Sequence, residues 1–435
     1  MKLNKILLAA SMALLSAGAN AQDFFPEDVR IYINPGHGSW GGASNRHMPT
    51  IDHYPISDEN PDTTDFFESN TNLQKGLSML YKLIDYGCPF DPTLNQENKN
   101  PNRIGAALDL RQGVVMSRVK NGPYPFVEVN GVDPDSDNDF SRNLTEIAEE
   151  VETNSFDVFI SIHSNAGNAD AQLINYLAFL YRTNRGANGN DCLALCNTGW
   201  DQRIQDRHTQ WTMYDNPVDG GTVKINTGDY IVLGHSVPGY LVEGYFHTYQ
   251  PARHRAMNFD VDRVEGHDYA RGVADYFMWE KEETGNIYGI VRDDTNPLKH
   301  DLYTYNPKTP DKYAPLNDVD VTLKDSEGNV VDTYKTDINY NGAFVFMNVE
   351  AGDYTVEFSH PDYEAGEPVA VTVEPATTSY PTAFLKNSSG VDGIAADEDV
   401  APAIYYNLQG MKVANPSNGV YIKVKGEKAS KVYVK

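Results

Sequence analysis

Strand-like apolar runs that alternate with helix-like segments are the feature that most limits what this chain can form. Four nearly continuous apolar runs lie within residues 22–283, namely Asp28–Asn34, Phe156–His163, Asp229–Leu233 and Gly239–Phe246. The segments with helical spacing are Asn72–Tyr86, Glu146–Val151 and Arg271–Trp279. Buried parallel strands read as continuous apolar runs, and their alternation with helices is typical of α/β domains. We therefore predict a mostly parallel sheet flanked by helices over residues 22–283.

The pattern changes after this region. Between residues 286 and 386 the helical spacing disappears, and short apolar runs alternate with Asp, Gly, Asn and Pro, which indicates an all-β sandwich. Residues 387–400 are rich in Ser, Gly and Asp and are predicted to be a linker. Residues 401–435 contain three short strand-like pieces and are predicted to form a small β tail.

The first 21 residues have the pattern of a signal peptide. Lys2 and Lys5 precede the apolar run Ile6–Leu15, and Ala19-Asn20-Ala21 supplies a cleavage signal. An uncleaved anchor helix is the alternative, but a run of ten residues is too short to span a bilayer. We expect cleavage after Ala21, no transmembrane segment afterwards, and an exported protein in the periplasm, at the cell surface or secreted.

Charge and cysteine content exclude some classes of protein. The formal net charge is -26, with 35 Lys and Arg against 61 Asp and Glu, which argues against nucleic-acid binding. The final 35 residues are the exception, because they hold six lysines and one glutamate. Three cysteines are too few for a disulfide-built scaffold. Cys192 and Cys196 could pair while Cys88 stays single, so the redox state is left open.

Two histidines and a glutamate occupy strand ends or strand centres of the predicted α/β domain. His37 follows the first run in Asn34-Pro35-Gly36-His37-Gly38, His163 ends the second, and Glu243 interrupts the apolar run Leu241–Gly244. Ligands bind at the carboxyl edge of such sheets, and these residue types are zinc ligands. From the residues alone, structural histidines and a glutamate that faces solvent remain equally open.

Four ordered motifs distinguish residues 29–280. The first motif is IYINPGHG, which ends at Gly38, and the second is Glu68, four residues before the Asn72-Leu73 that opens a predicted helix. The third is Ser161-Ile162-His163-Ser164-Asn165-Ala166. The fourth is Pro238-Gly239-Tyr240-Leu241-Val242-Glu243-Gly244-Tyr245-Phe246. Val114–Arg118 also matches a strand of the same pattern. In this order the motifs resemble the zinc-dependent N-acetylmuramoyl-L-alanine amidases (the amidase_3 family).

The resemblance implies a site and a reaction. It implies that His37, Glu68 and His163 bind Zn²⁺, that Glu243 is the catalytic carboxylate, and that the partner is peptidoglycan or muropeptides. Asn34 departs from the family, in which the resemblance implies an aspartate that fixes the His37 turn. Asparagine can still hydrogen-bond but carries no charge, so zinc affinity could differ from that of the family. Substrate-binding residues are not assigned.

The other two modules also carry resemblances. Residues 286–386 look like a carboxypeptidase regulatory-like β-sandwich, with Gly289-Ile290-Val291 and Gly342-x-Phe344-x-Phe346 among the matching motifs. The tail is similar to type IX secretion sorting domains, through Ile404–Gly410 and Gly419–Ile422. That likeness implies type IX secretion machinery as a partner and leaves cleavage of the tail open.

Three alternatives compete with the amidase. A catalytically inactive surface protein could bind glycan through the region around these residues, and a zinc amidohydrolase could act on another substrate. A serine hydrolase is the third, since Gly234-x-Ser236-x-Pro238 is one residue short of a nucleophile elbow. An intact set of three ligand-type residues and Glu243 favours the enzyme over the binding protein.

Overall fold

The computed structural model describes a defined part of the chain. The described residues are 24–38, 47–48, 66–90, 113–118, 143–154, 156–167, 173–182, 189–204, 206, 223–226, 230–297, 304–388, 404–407, 412–413, 416, 419–425 and 428–434. The predicted signal peptide 1–21 and most of the predicted linker lie outside them. The chain forms two compact units, of which one comprises Met1–His360 with Ala365–Lys386, and the other Pro361–Glu364 with Asn387–Lys435.

A six-stranded sheet is the centre of the first unit. Its strands run in the order β4-β1-β5-β8-β6-β7, where β1 is Ile31–Pro35, β4 Val114–Met116, β5 Val158–Asn165, β6 Ala178–Tyr181, β7 Val223–Asn226 and β8 Gly239–Phe246. All neighbouring pairs are parallel except β6 with β8. A separate two-stranded ladder joins β2 (His47–Met48) to β3 (Phe66–Phe67). The predicted α/β class with a mostly parallel sheet is confirmed.

Helices cover both faces of this sheet. They are α1 (Glu68–Asp85), α2 (Leu144–Thr153), α3 (Gly189–Arg203), α4 (Gln250–Arg255) and α5 (Phe259–Phe277). One core cluster combines α1, α3 and α5 with strand residues such as Ile33, Ile160 and Val242. The opposite face packs α2 against residues such as Tyr32 and Leu241. This double covering explains why the strands are apolar on both sides, and it leaves the carboxyl ends of β1, β5 and β8 for polar groups.

One predicted strand is wrong. Within Asp229–Leu233 the described residues form a 3-10 turn, Ile231–Leu233, instead of a strand. Val232 and Leu233 are buried in the core beside α2, whereas Ile231 is 53% exposed. The turn, which ends at Gly234, buries two consecutive side chains in the same core cluster. Consecutive side chains of a strand point to opposite faces of the sheet, so a strand could not bury both on one face.

The sandwich follows α5 directly. A five-stranded sheet contains β9 (Thr284–Pro297), β10 (Tyr313–Pro315), β13 (Ala343–Glu350), β16 (Thr378–Ser379) and β17 (Thr382–Leu385). A four-stranded sheet has the order β12-β11-β14-β15, formed by β11 (Asp320–Lys324), β12 (Val330–Lys335), β14 (Gly352–Ser359) and β15 (Val369–Val373). Most pairs are antiparallel, but β16 and β17 run parallel to β9. The predicted β-sandwich is confirmed.

Buried polar groups join the sandwich to the α/β part of the same unit. Asp311 accepts hydrogen bonds from Arg255 and Arg292, both at 2.9 Å, and from the Tyr249 hydroxyl at 2.8 Å. Asp268 accepts from the Tyr380 hydroxyl at 3.1 Å. Because such groups are costly to bury without partners, each part completes the hydrogen bonding of the other.

The second unit contains a small antiparallel sheet. Its order is β19-β18-β20-β21, formed by β18 (Ile404–Tyr406), β19 (Lys412–Val413), β20 (Gly419–Lys425) and β21 (Lys428–Val434). The predicted small β tail is therefore confirmed. In neither unit do the described residues include a helix with the length and apolar content needed to cross a bilayer.

Candidate metal centre

His37 lies in the turn that follows β1, at the carboxyl edge of the sheet. Its backbone adopts φ = 61°, a left-handed conformation that is uncommon for a residue with a side chain. Gly36 is required beside it, because a β-carbon there would lie 2.1 Å from Cε1 of His163. The Pro-Gly-His sequence thus brings backbone and two imidazoles into close approach.

Glu68 is the first residue of α1 and is 1% exposed. Its Oε1 accepts hydrogen bonds from the backbone N–H of Ser164 at 2.9 Å and from Nδ2 of Asn72 at 3.3 Å. Nε2 of His37 lies 3.1 Å from Oε2, and Nδ1 of His163 lies 3.3 Å from Oε1. The carboxylate therefore stands between the two histidines.

The donor atoms of His37, Glu68 and His163 all lie within 4.8 Å of one another. Nε2 of His37 and Nδ1 of His163 lie 3.1 and 3.3 Å from different oxygens of the Glu68 carboxylate. These separations are similar to the distance between two ligand atoms, about 3.3 Å, in a tetrahedral site with metal–ligand bonds of about 2.0 Å. Nε2 of His163 is buried and makes no hydrogen bond within the described part of the chain. Two imidazoles and one carboxylate at this spacing fit a divalent metal ion.

The protonation states favour metal binding as well. Burial opposes ionisation of Glu68, but the charge of His37 and the hydrogen bonds from His163 and His37 outweigh it and hold the pKa of the carboxyl well below its usual range. Burial lowers the pKa of the His163 imidazole, although Glu68 acts in the opposite direction. An ionised carboxylate and a neutral imidazole are the forms that bind metals.

Arg118 supports the turn that carries His37. This buried guanidinium donates to the carbonyls of Pro35 at 3.0 Å and of Gly36 and Ser69, both at 2.8 Å. It therefore ties the His37 turn to the first turn of α1, where Glu68 lies. Both candidate ligands are positioned by one side chain.

Asn34 precedes the His37 turn and makes side-chain hydrogen bonds to two serines. Its Nδ2 donates to the Ser161 hydroxyl at 2.8 Å, and its Oδ1 accepts from the Ser117 hydroxyl at 2.7 Å. The amide therefore links β1 to β5 and to the residue that follows β4, and it uses both a donor and an acceptor to do so. An aspartate could not donate to Ser161 in the same way.

Glu243 lies on β8, opposite His163 in the parallel register between β5 and β8. Register partners on neighbouring strands project from the same face of a sheet, so Glu243 and His163 share a face. The Glu243 side chain is buried, and its negative charge adds to the effect of burial in raising the pKa of Tyr176. The structure thus places a buried carboxylate on the strand next to the candidate ligands.

Sequence reasoning missed two further polar residues of the site. Asn72 contacts Glu68 from one helical turn away, a pairing that the i, i+4 spacing signals. His247 has Nδ1 3.9 Å from Oε2 of Glu68 and 2.9 Å from the Ser164 hydroxyl. In the sequence, the position of His247 four residues after Glu243 is the only feature that associates it with the site.

The serine-hydrolase alternative finds no support at its own residues. The Ser236 hydroxyl donates to Glu152 at 3.0 Å, and Nδ1 of the neighbouring His235 lies 3.0 Å from the carbonyl of Val237. Nucleophilic serine requires a base within hydrogen-bond reach. No such bond joins this serine to a histidine in the part of the chain that the structure describes.

Comparison with known proteins gives two kinds of similarity. Residues 306–379 match the SdrD B-like domain family. One similar solved structure is the N-acetylmuramoyl-L-alanine amidase from Clostridium difficile 630, with 19% identity over 58% of this chain and 98% of that one and a TM-score of 0.34. Another is the N-acetylmuramoyl-L-alanine amidase AmiC2 of Nostoc punctiforme, with 20% identity over 58% of this chain and 98% of that one and a TM-score of 0.33. The Ami1 amidase from Mycobacterium smegmatis is similar at 15% identity over 57% of this chain and 97% of that one, with a TM-score of 0.37. No curated protein sequence is significantly similar to the chain.

Proposed function

We propose that the chain is an exported, zinc-dependent N-acetylmuramoyl-L-alanine amidase. The observation that carries the proposal is the convergence of His37, Glu68 and His163 within 4.8 Å, with Glu243 in register with His163. The ordered motifs around these residues supply the reaction class. Export and sorting by type IX secretion machinery are part of the proposal and follow from the N-terminal and C-terminal sequence patterns.

Zinc is the metal that suits this donor set. His37, Glu68 and His163 would hold it, and three protein ligands leave a coordination position for a reactant. When bound, zinc would supply a Lewis acid that polarises the scissile carbonyl and activates water. The low pKa of Glu68 keeps this ligand ionised at neutral pH.

Glu243 would carry the proton transfers. In amide hydrolysis, the water oxygen bonds to the carbonyl carbon, the carbon–nitrogen bond breaks, and the leaving nitrogen needs a proton. Glu243 takes a proton from water and delivers one to that nitrogen, which yields the lactyl carboxyl of N-acetylmuramic acid and the free amine of L-alanine. Because the Glu243 side chain is buried on β8, bulk water has little access to its carboxylate.

Incubation of zinc-loaded protein with purified muropeptides tests the proposal. We expect release of stem peptide with a free L-alanine amine, loss of release with chelator, and loss in Glu243→Ala while zinc is retained. Glu149→Ala is the matched control, since this glutamate is exposed on α2. Binding of muropeptide without release would support the inactive glycan-binding protein instead. Zinc binding with no muropeptide turnover, but hydrolysis of another amide, would support the different amidohydrolase.

A further inference from the structure

His247 follows β8 and is held on several sides. It is 1% exposed, and its ring stacks on Phe66 with a centroid distance of 5.6 Å and an interplanar angle of 24°. Its backbone N–H donates to the Asn165 carbonyl at 2.9 Å, and its carbonyl accepts from Nη1 of Arg253 at 2.9 Å. The backbone is therefore held on both sides of the residue, and the stack on Phe66 sets the plane of the imidazole in the structure.

This orientation directs Nδ1 toward the candidate metal ligands. Nδ1 lies 2.9 Å from the Ser164 hydroxyl, and the backbone N–H of the same serine donates to Oε1 of Glu68. Nδ1 also lies 3.9 Å from Oε2 of Glu68. His247 thus contacts one side of the carboxylate through Ser164 and faces the other side directly.

The remaining contacts of Glu68 show what His247 adds. Oε1 accepts hydrogen bonds from Ser164 and Asn72 and also faces Nδ1 of His163 at 3.3 Å. Oε2 faces the two imidazoles of His37 and His247, at 3.1 and 3.9 Å. His247 therefore lies, together with His37, on the Oε2 side of the carboxylate.

We propose that His247 is a positioning residue, which orients Glu68 for metal binding through Ser164 and through its own approach to Oε2. The inference rests on the proposed function, because it assigns Glu68 as a ligand. Outer contacts of this kind tune a metal site through the orientation of the ligands, and their loss typically costs about 10–100-fold in metal affinity. His247 does not touch substrate in this assignment and is not a catalytic residue.

The main test compares His247→Phe with His247→Asn. Phenylalanine preserves an aromatic ring to stack on Phe66 but has no nitrogen, whereas the asparagine amide can occupy the place of Nδ1. We expect His247→Phe to raise the dissociation constant for Zn²⁺ by about 10–100-fold in competition with a chromogenic chelator. We also expect it to change the visible spectrum of the Co²⁺-substituted protein. His247→Asn is expected to restore both properties.

His235→Phe is the matched control. His235 is also a buried imidazole, and it meets the Phe159 ring edge-on with a centroid distance of 4.7 Å. Its Nδ1 lies 3.0 Å from the backbone carbonyl of Val237. Unlike the contact of His247 with Ser164, this contact does not lead to a candidate metal ligand. The same substitution there should leave zinc affinity and the cobalt spectrum unchanged. Unfolding midpoints measured with chelator separate general destabilisation from loss of metal binding.

Ser164→Ala keeps the inference testable if His247→Phe does not fold. This variant removes the hydroxyl between His247 and the backbone N–H that binds Glu68, so zinc affinity should again fall. A folded His247→Phe with wild-type zinc affinity and cobalt spectrum would overturn the inference, as would a Ser164→Ala variant with unchanged affinity. Wild-type protein that binds no zinc would overturn the proposed function as well, whereas wild-type zinc binding with unaffected variants overturns only the role of His247.

Discussion

Replacement of Asp311 measures how much its contacts between the sandwich and the α/β part contribute to the free energy of unfolding. Its carboxylate is buried between the guanidinium groups of Arg255, from the α/β part, and Arg292, from the sandwich. Asp311→Asn retains the shape of the side chain but leaves two buried cations without their counter-charge. Breaking a buried ion pair from one side costs about 3–5 kcal/mol, and we expect a loss of that size in the free energy of unfolding at pH 7.

The pH dependence measures a smaller quantity, which is the part of the stability that depends on ionisation of Asp311. Burial disfavours the charged form of Asp311, but Arg255 and Arg292 outweigh it and lower the pKa from 3.8 to about 2. At roughly 1.4 kcal/mol per pKa unit, this corresponds to about 2 kcal/mol of stability. Because the folded pKa is the lower one, that stability is fully present above pH 3.8 and is lost as the pH falls to about 2. The difference between wild type and Asp311→Asn should therefore shrink by about 2 kcal/mol over this window.

Urea unfolding at steps from pH 7 to pH 2, followed by tryptophan fluorescence, measures both quantities. Asp294→Asn is the control, because Asp294 is an exposed carboxylate on β9. Other carboxylates also titrate in this window, so the comparison of the two variants isolates Asp311. An Asp311→Asn protein as stable as Asp294→Asn at pH 7, or a difference from wild type that does not shrink below pH 4, would refute the reasoning.

Four further predictions concern the site and the thiols. Gly36→Ala is expected to abolish zinc binding in calorimetric titration, because its β-carbon would meet the His163 ring at 2.1 Å; wild-type affinity would contradict this. In Arg118→Lys, the single ammonium group cannot bond all three carbonyls that the planar guanidinium now bonds. We therefore expect a lower melting temperature and about tenfold weaker zinc binding in chelator competition. Unchanged zinc affinity would count against a positioning role for Arg118. Zinc at 100 times its dissociation constant should raise the free energy of unfolding by about 2.7 kcal/mol in wild type but not in Glu68→Ala, as measured by scanning calorimetry. The three cysteines are buried and form no disulfide in the structure, which describes all of them, so a reducing agent should leave the melting temperature unchanged, and a decrease would reveal a disulfide.

The fold could be predicted where apolar periodicity determines structure. β8 has the predicted bounds, Gly239–Phe246, because every residue of this strand is buried. Helix α5 is predicted only from Arg271 but begins at Phe259. Its first half buries charged side chains, such as Glu265, which lies 2.9 Å from Lys75 of α1. Ion-paired charges inside a core break the apolar pattern that signals a buried helix.

The site could be predicted only in part, for a related reason. His37, His163 and Glu243 are recognisable as candidates because each belongs to an apolar strand or the turn that ends it. Glu68 opens a helix and has no such context, so it depended on the family resemblance. The contacts of His247 bring together residues far apart in sequence, and they become visible only once β5 and β8 are paired.

The strand β9 has a consequence for how this chain can be divided. It begins seven residues after α5 ends and lies between β10 and β13 in the five-stranded sheet, so the α/β part and the sandwich have almost no connecting segment. A fragment that stops at Glu283 would lack Asp311, which pairs with Arg255 and accepts from the Tyr249 hydroxyl, and Tyr380, which donates to Asp268. Recombinant fragments and domain swaps should therefore be cut after Leu385, where the sandwich's last strand ends, and the metal-binding region should be handled as one piece with its neighbour.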